Sequence, residues 1–391
     1  MIDYNPFAEA VMADPYPIYR RLREEAPVWW SERLGFWALS RYADVLRGFR
    51  DVEHLSSRCG VSLDRDAFHD DAETTMSFLA MDPPRHTRMR ALVSKGFTPR
   101  RVAALEPRVR ALAVEYLEAA RARGGSCDFI GDFAGVLPMD VISELLGVPP
   151  EDRALLRTWA DTMVHREEGG SGMPPAAIEA GLRSIRYFAD MLAERRRHPR
   201  DDLTGALLEA EIDGDRLSDK EIIGFLVLMI VAGNETTTKL LGNALYHAWR
   251  HPDQRDLLRA DPGLAGRWAE ETLRYDPSTQ ALARVVARDV DYAGRRLREG
   301  EKLVLLVGSA SRDPRAFPEP DRFDLRRDTR KSLHFGQGTH FCLGAALARL
   351  EGRVALEEVL RRIPDFEVDE AGARRVHSVN VRGFARLPIG Y

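Results

Sequence analysis

The stretch Phe335-Gly336-Gln337-Gly338-Thr339-His340-Phe341-Cys342-Leu343-Gly344 constrains this chain more than any other. Its three glycines each cost backbone entropy, a cost worth carrying only where the chain needs an unusual conformation or close approach by another group. Something must sit against this backbone. Downstream, Leu343, Leu347, Leu350 and Val354 recur at helical spacing with Arg349, Glu351, Arg353 and Glu357 among them, so Cys342 lies at or near a helix N-terminus. The helix dipole and free N–H groups there favour thiolate, the form that binds metal.

A single thiolate on an open, glycine-lined turn suits an iron that needs one axial protein ligand, with Phe335 as an apolar shield. A buried structural cysteine is the bland alternative. A zinc site from His334, His340 and Cys342 lacks the second cysteine that would complete a usual ligand set. The pattern Phe-Gly-x-Gly-x-His-x-Cys-x-Gly resembles the haem-ligand loop of the cytochrome P450 monooxygenases. That resemblance implies a haem b whose iron is held by Cys342, with Phe335, Gly336, His340 and Gly344 against the cofactor.

Composition narrows the class without naming a function. The 391 residues are 44% hydrophobic and 30% charged, with a formal net charge of −4, an ordinary globular chain with no global reason to bind nucleic acid. Cys59, Cys127 and Cys342 are odd in number and far apart, which excludes a disulfide framework and fits a reducing cytoplasm. The N-terminus lacks the basic and apolar regions of a signal peptide. The most apolar run, 222–232, is too short to span a membrane.

Along the chain, 18–25 reads as a helix. Val28-Trp29-Trp30 and Phe36-Trp37-Ala38-Leu39 flank Arg33-Leu34-Gly35 as a hairpin, and 42–49 returns to helical spacing. The polar stretch 61–80 is too long for a plain connection; in the resembling family it caps the substrate pocket, the alternative being a disordered surface loop. Asp82-Pro83-Pro84 opens a helix on which His86 and Arg90, four apart, share a face. The family uses the corresponding pair for haem propionates. Residues 102–122 and 141–146 are helical by pattern. Gly169-Gly170-Ser171-Gly172-Met173-Pro174-Pro175 interrupts two helical stretches, as a linker by composition or as a lid by resemblance.

Ser218-Asp219-Lys220-Glu221 has the form of a capping box before a long, all-round apolar helix reaching about Arg250. Within it, Ala232-Gly233-Asn234-Glu235-Thr236-Thr237-Thr238 places polar groups where burial is costly unless they have partners or a task. The segment is similar to the family's oxygen-binding groove. By that resemblance Gly233 lets dioxygen approach the backbone, the Thr236 hydroxyl steadies it, and Glu235 helps deliver protons. A core-helix kink is the alternative.

Resemblance also implies that Glu271 and Arg274 form a buried pair joined by Arg322 from Pro318-Glu319-Pro320-Asp321-Arg322-Phe323, and that Arg284 is a further propionate ligand. Short strands are expected over 290–300 and 302–307, with a terminal hairpin over 376–387 whose turn near Asn380 touches substrate.

Because the motifs run in family order, the resemblance covers essentially the whole chain. It implies one mainly helical domain with small β-sheets, residues 1–391, acting as an O2-dependent monooxygenase on an apolar small molecule bound by 61–80, 159–190 and 378–382. The chain carries no iron–sulfur cysteine set and no dinucleotide fingerprint, and the resemblance then implies electrons from NAD(P)H through a separate reductase and a ferredoxin or flavodoxin. Arg349, Arg353, Arg361 and Arg362 form either the patch facing that donor or an ordinary solvated helix face. A peroxide-driven peroxygenase and a non-enzymatic haem sensor remain as alternatives, and no membrane or nucleic acid partner is expected.

Overall fold

The computed structural model of the protein describes residues 2–64, 66–166 and 172–391. Its longer helices are α1 (Tyr16–Glu25), α2 (Tyr42–Arg50), α3 (Arg85–Ser94), α4 (Glu106–Ala122), α5 (Leu137–Leu146), α6 (Arg153–Val164), α7 (Pro175–Arg197), α8 (Asp219–Arg250), α9 (Ala265–Tyr275) and α10 (Ala345–Arg362). A five-stranded sheet takes β1 (Val28–Ser31), β2 (Phe36–Leu39), β3 (Leu55–Ser56), β4 (Leu282–Val286) and β5 (Lys302–Leu305) in the order β1-β2-β5-β4-β3. The expected hairpin is its first pair, with Trp30 opposite Trp37.

The long helix α8 organises the rest. Its capping box is complete: the Ser218 hydroxyl accepts from the Glu221 N–H, and the Glu221 carboxylate accepts from the Ser218 N–H, satisfying donors that a helix start otherwise leaves open. Its N-terminal half packs Ile222, Phe225, Leu226 and Ile230 against Ile142 of α5, Leu156 of α6 and Phe188 of α7. Its C-terminal half packs Leu240, Leu241, Ala244 and Leu245 against Val109 of α4, Trp268 of α9 and Val354 of α10. Each fully buried side chain of this size contributes about 1.5–3 kcal/mol. By length and composition α8 could cross a membrane, but both halves are committed to the protein interior. The polar stretch 232–238 falls where the two apolar clusters meet.

Two expected features differ. The helix expected over 102–122 is broken: Pro99–Ala104 forms one short helix and α4 begins at Glu106. Pro107 is the reason, because without an N–H it fits the first turn of a helix and not its interior. Gly147, at φ +78°, closes α5.

The second difference concerns the buried acid. Glu271 and Arg274 do pair in the interior, with Arg274 Nε donating to Glu271 Oε2 at 3.1 Å. The third member, however, is Arg327, whose Nε lies 3.2 Å from Glu271 Oε1. The Arg322 guanidinium sits outside near Glu319, and only the Arg322 carbonyl joins the cluster, accepting from Arg274 and Arg327. Arg327 also donates to the carbonyls of Pro318 and Glu319. The Pro318–Phe323 segment therefore supplies acceptors to the cluster, while the second guanidinium arrives four residues after that segment ends.

In the region expected to be a pocket-capping loop, 73–76 and 77–80 form short helical turns. Of the break 169–175, residues 169–171 lie outside the described residues. The terminal hairpin pairs Arg374–Arg375 with Phe384–Arg386. The Asn380 side chain near its tip donates to the carbonyls of Val61 and Ala281 and accepts from the Ser62 hydroxyl.

Candidate active site

A cavity of about 240 Å³ opens between α8 and the loop before α10. Gly233, Thr236 and Thr237 line one side; Phe335, Gly336, Cys342, Leu343 and Gly344 line the other. The elements carrying the two most distinctive motifs of the sequence thus face each other. Phe78, Leu79, Phe97, Leu228, Met229 and Leu282 give much of the remaining wall an apolar character. Among the described residues of the stretches expected to contact substrate, only Phe78 and Leu79 line this cavity. Trp159, Met163 and Tyr187 pack instead against the apolar cluster at the N-terminal half of α8.

Cys342 lies two residues before Gly344, the N-cap of α10. Its N–H donates to the Phe335 carbonyl at 2.9 Å, closing the loop on itself. Gly336 and Gly338 both have φ +70°, the left-handed backbone that glycine adopts without a steric penalty. Gly344 needs no such conformation, and a Cβ there would meet nothing within 4 Å. Burial raises the Cys342 thiol above its ordinary pKa, against the opposing pull of the Gly344 and Ala345 N–H groups and of Arg90 and Arg349. Without a metal, therefore, desolvation outweighs the helix-end effect on which the sequence expectation of a thiolate rested.

Near the cavity, His86, Arg90, Arg284 and His340 converge with no ion-pair partner among the described residues, and the Asp82 carboxylate that acts on His86 and Arg284 does not offset their burial. The His86 and His340 rings are 4.1 Å apart. Both His86 nitrogens are buried without a partner, and burial pulls His86 down to about 4 and His340 to about 2. Burial also lowers Arg90, and brings Arg284 down to about 10. Neither arginine forms an ion pair among the described residues. Groups of this kind, orphaned together, fit an anionic ligand that would restore what burial removes. The residues thus fit a flat, largely apolar macrocycle with acidic substituents: one sulfur donor, an uncluttered glycine face and a basic edge. The zinc alternative has no such geometry. His334 faces Glu270 and Phe335, His340 faces His86 and Ser57, and no three metal-ligating side chains gather among the described residues.

On α8, Thr236 lines the cavity and its hydroxyl donates to the Ala232 carbonyl at 3.0 Å. A Cβ on Gly233 would stand 3.0 Å from Ile142 Cγ1, so this glycine also serves the close approach of α8 and α5. Glu235 is buried, and Lys239 Nζ lies 3.0 Å from its Oε2. Sequence reasoning passed over Lys239, although a lysine one turn beyond a glutamate in an apolar helix was a visible signal. It also passed over Glu351, a cavity-lining carboxyl that burial holds well above the usual carboxylate range.

The four arginines on α10 are each engaged. Arg349 pairs with Glu270, Arg353 with Glu106 and Glu357, Arg361 with Glu358, and Arg362 with Glu118 and Glu358. They form a laced helix surface and not a free cationic patch. Arg349 additionally stacks 4.6 Å over the Phe335 ring.

Comparison with known proteins decides the family. A cytochrome P450 family model matches residues 267–388. Over 386 residues the chain is 55% identical to cytochrome P450 123 of Mycobacterium tuberculosis, covering 98% of this chain and 96% of the relative. This chain belongs to the cytochrome P450 family. The P450 is also 40% identical over 399 residues to a vitamin D(3) 25-hydroxylase of Pseudonocardia autotrophica, covering 99% of this chain and 96% of that one. The structure of CYP109Q5 from Chondromyces apiculatus superposes with a TM-score of 0.89 at 37% identity, covering 100% of this chain and 98% of the other. The mainly helical fold with small sheets is thus the P450 fold, and the protein is an oxidoreductase: a haem-iron monooxygenase that uses O2 and reducing equivalents.

Proposed function

We propose that this P450, a single catalytic domain, binds haem b and uses O2, with electrons passed from NAD(P)H through a reductase and a ferredoxin or flavodoxin, to hydroxylate or epoxidise an apolar small molecule in the cytoplasm. The observation that carries the reading is Cys342 facing Gly233 and Thr236 across one cavity. Haem b, when bound, supplies the oxidising chemistry that side chains cannot perform. Cys342 would hold its iron through sulfur, and His86, Arg90, Arg284 and His340 would hold its propionates. Phe335 and Leu343 keep water from the sulfur side. Gly336 and Gly344 keep the contacting surface free of side chains.

Glu235 would hold a proton one residue from Thr236, whose hydroxyl presents it to the oxygen site. This arrangement favours O2 over peroxide, because peroxide already carries the protons that such a relay supplies. The cavity wall, chiefly Phe78, Leu79, Phe97, Leu228 and Met229, supports an apolar substrate. The relative that hydroxylates vitamin D(3) supports the same class.

Two measurements test this. The reduced, carbon monoxide-treated holoprotein is expected to show the strongly red-shifted Soret band of a sulfur-ligated haem, and Cys342→His to lose it. If the wild-type band stays at the position of an imidazole-ligated haem, the reading fails. Thr236→Ala is expected to lower the yield of product per electron by about tenfold with O2 and reductase. A peroxygenase would instead turn over with peroxide at an undiminished rate, and a haem sensor would give no product with either oxidant.

A further inference from the structure

Among the described residues, three of the six exposed large hydrophobic side chains lie on one helix, α7: Ile178, Leu182 and Ile185 are 51%, 63% and 38% exposed. Single apolar residues scattered over a surface are ordinary, but a contiguous stripe is not. Spacings of four and three residues put these side chains in one line along the helix, because each residue turns it by about 100°. A different face already anchors α7 to its own chain, with Ala177, Ala180, Ser184, Phe188 and Leu192 buried. The stripe therefore adds nothing to the packing of this helix at home.

The charges beside the stripe identify its occupant. Glu179, Arg183, Arg186 and Asp190 all fall along one side of it, in the order acid, base, base, acid. Glu179 Oε1 pairs with Arg183 at 2.5 Å, while Arg186 forms no ion pair among the described residues. The arginines at the end of the helix are taken up, Arg195 by Asp202, Arg196 by Asp219 and Arg197 by Glu194. A charge-balanced border differs from the cationic border of a helix that lies on lipid. It fits a surface with the same charges in reverse order. Two copies of α7 packed stripe to stripe and antiparallel meet that condition: a two-fold axis beside Leu182 lays the charged side of one helix against the charged side of the other, with the order reversed. Glu179 of one copy then stands opposite Arg186 of the other. Parallel packing would put the two charged sides on opposite edges and pair nothing.

We propose that this face of α7 is an isologous dimer interface whose occupant is a second copy of this chain. Leu182 sits at the two-fold axis, Ile178 and Ile185 pack on either side of it, and two Glu179–Arg186 pairs fix the antiparallel register. One helix from each copy makes an interface at the small end of the specific range, below about 1,200 Å² in total, so the dimer is weak and reversible.

The test uses the haem-loaded protein. Analytical ultracentrifugation from micromolar to submillimolar protein is expected to show a reversible rise from the mass of one chain to that of two. Leu182→Glu is expected to raise the dissociation constant at least about tenfold, because it places two like charges at the axis. Glu179→Arg is expected to weaken the dimer about tenfold, and adding Arg186→Glu to restore most of the affinity, since the pair is then reversed and not removed. Oxidative cross-linking checks the register, with wild type as the measure of what the native cysteines contribute. Leu182→Cys is expected to give a disulfide-linked dimer and Ile178→Cys none, because at about 1.5 Å per residue the two copies of position 178 lie more than about 10 Å apart. A wild-type protein that is monomeric at every concentration overturns the proposal, as does a dimer that Leu182→Glu leaves unchanged. A monomer that floats with phosphatidylcholine–phosphatidylglycerol vesicles, and stops doing so in Leu182→Glu, would give the stripe to lipid and overturn it as well. The substituted side chains are all exposed, so the variants leave the packed interior untouched.

Discussion

Glu271 is held by two guanidinium groups in the interior, Arg274 from its own helix and Arg327 from a loop fifty-six residues on. A buried carboxylate deprived of a partner cannot turn to water instead, so losing one is costly. Arg327→Ala is expected to destabilise the protein by about 3 kcal/mol in urea unfolding. Arg322→Ala, whose guanidinium is exposed beside Glu319, is expected to fall within about 0.5 kcal/mol of wild type. Equal losses from the two substitutions would remove the assignment of Arg327. Glu271-x-x-Arg274 was legible because two residues three apart on a helix share a face. Arg322 was a poor guide because its segment contributes backbone acceptors, which every residue type possesses.

At the scale of elements, the site depends on how closely three helices approach on the sulfur side. Gly352 of α10 packs where α8 and α9 meet it: a Cβ there would stand 3.2 Å from Ala269 Cβ and 3.2 Å from Leu240 Cδ2. Gly352→Val would therefore overpack this joint, and a loss of about 2 kcal/mol is expected. Because Cys342 lies in the loop that leads into α10 and α8 carries Thr236, the same variant is expected to lose haem faster to an apo-myoglobin acceptor. A variant that retained haem as well as wild type would show that the joint does not fix the spacing of the two helices. The start of α8 was readable from Ser218-Asp219-Lys220-Glu221, since a capping box is a local device. The break between the helices at Leu105 was predictable from Pro107, a residue the periodic pattern on either side had obscured.

At the scale of the whole molecule, acid is expected to begin lowering stability before most carboxylates titrate. His247, at the packed contact of α8 with Tyr275 and Phe323, is pulled down to about 4 by burial, despite the Asp276 carboxylate 3.3 Å away. An unfolded histidine titrates near 6.5, so between about 6.5 and about 4 the unfolded chain binds a proton that the folded chain refuses. The His247 contribution to stability is therefore complete above that window, falls as pH drops through it by about 3 kcal/mol, and changes no further below it. His247→Gln is expected to flatten that part of a stability-against-pH curve measured by urea unfolding; an unchanged slope would show that His247 is protonated in the folded protein. The sequence by itself determined the family and the capped interior helix, and it singled out Cys342 and Thr236, which the structure brings to one cavity, because each rests on a motif that spans a few turns of chain. Only the tertiary structure decided that Arg327 and not Arg322 completes the Glu271 cluster, that the α10 arginines are already paired, and that Lys239 lies against Glu235 in the interior. Those outcomes depend on which side chains share a buried volume, where the loss of water makes each partner matter and spacing along the chain carries no information about it.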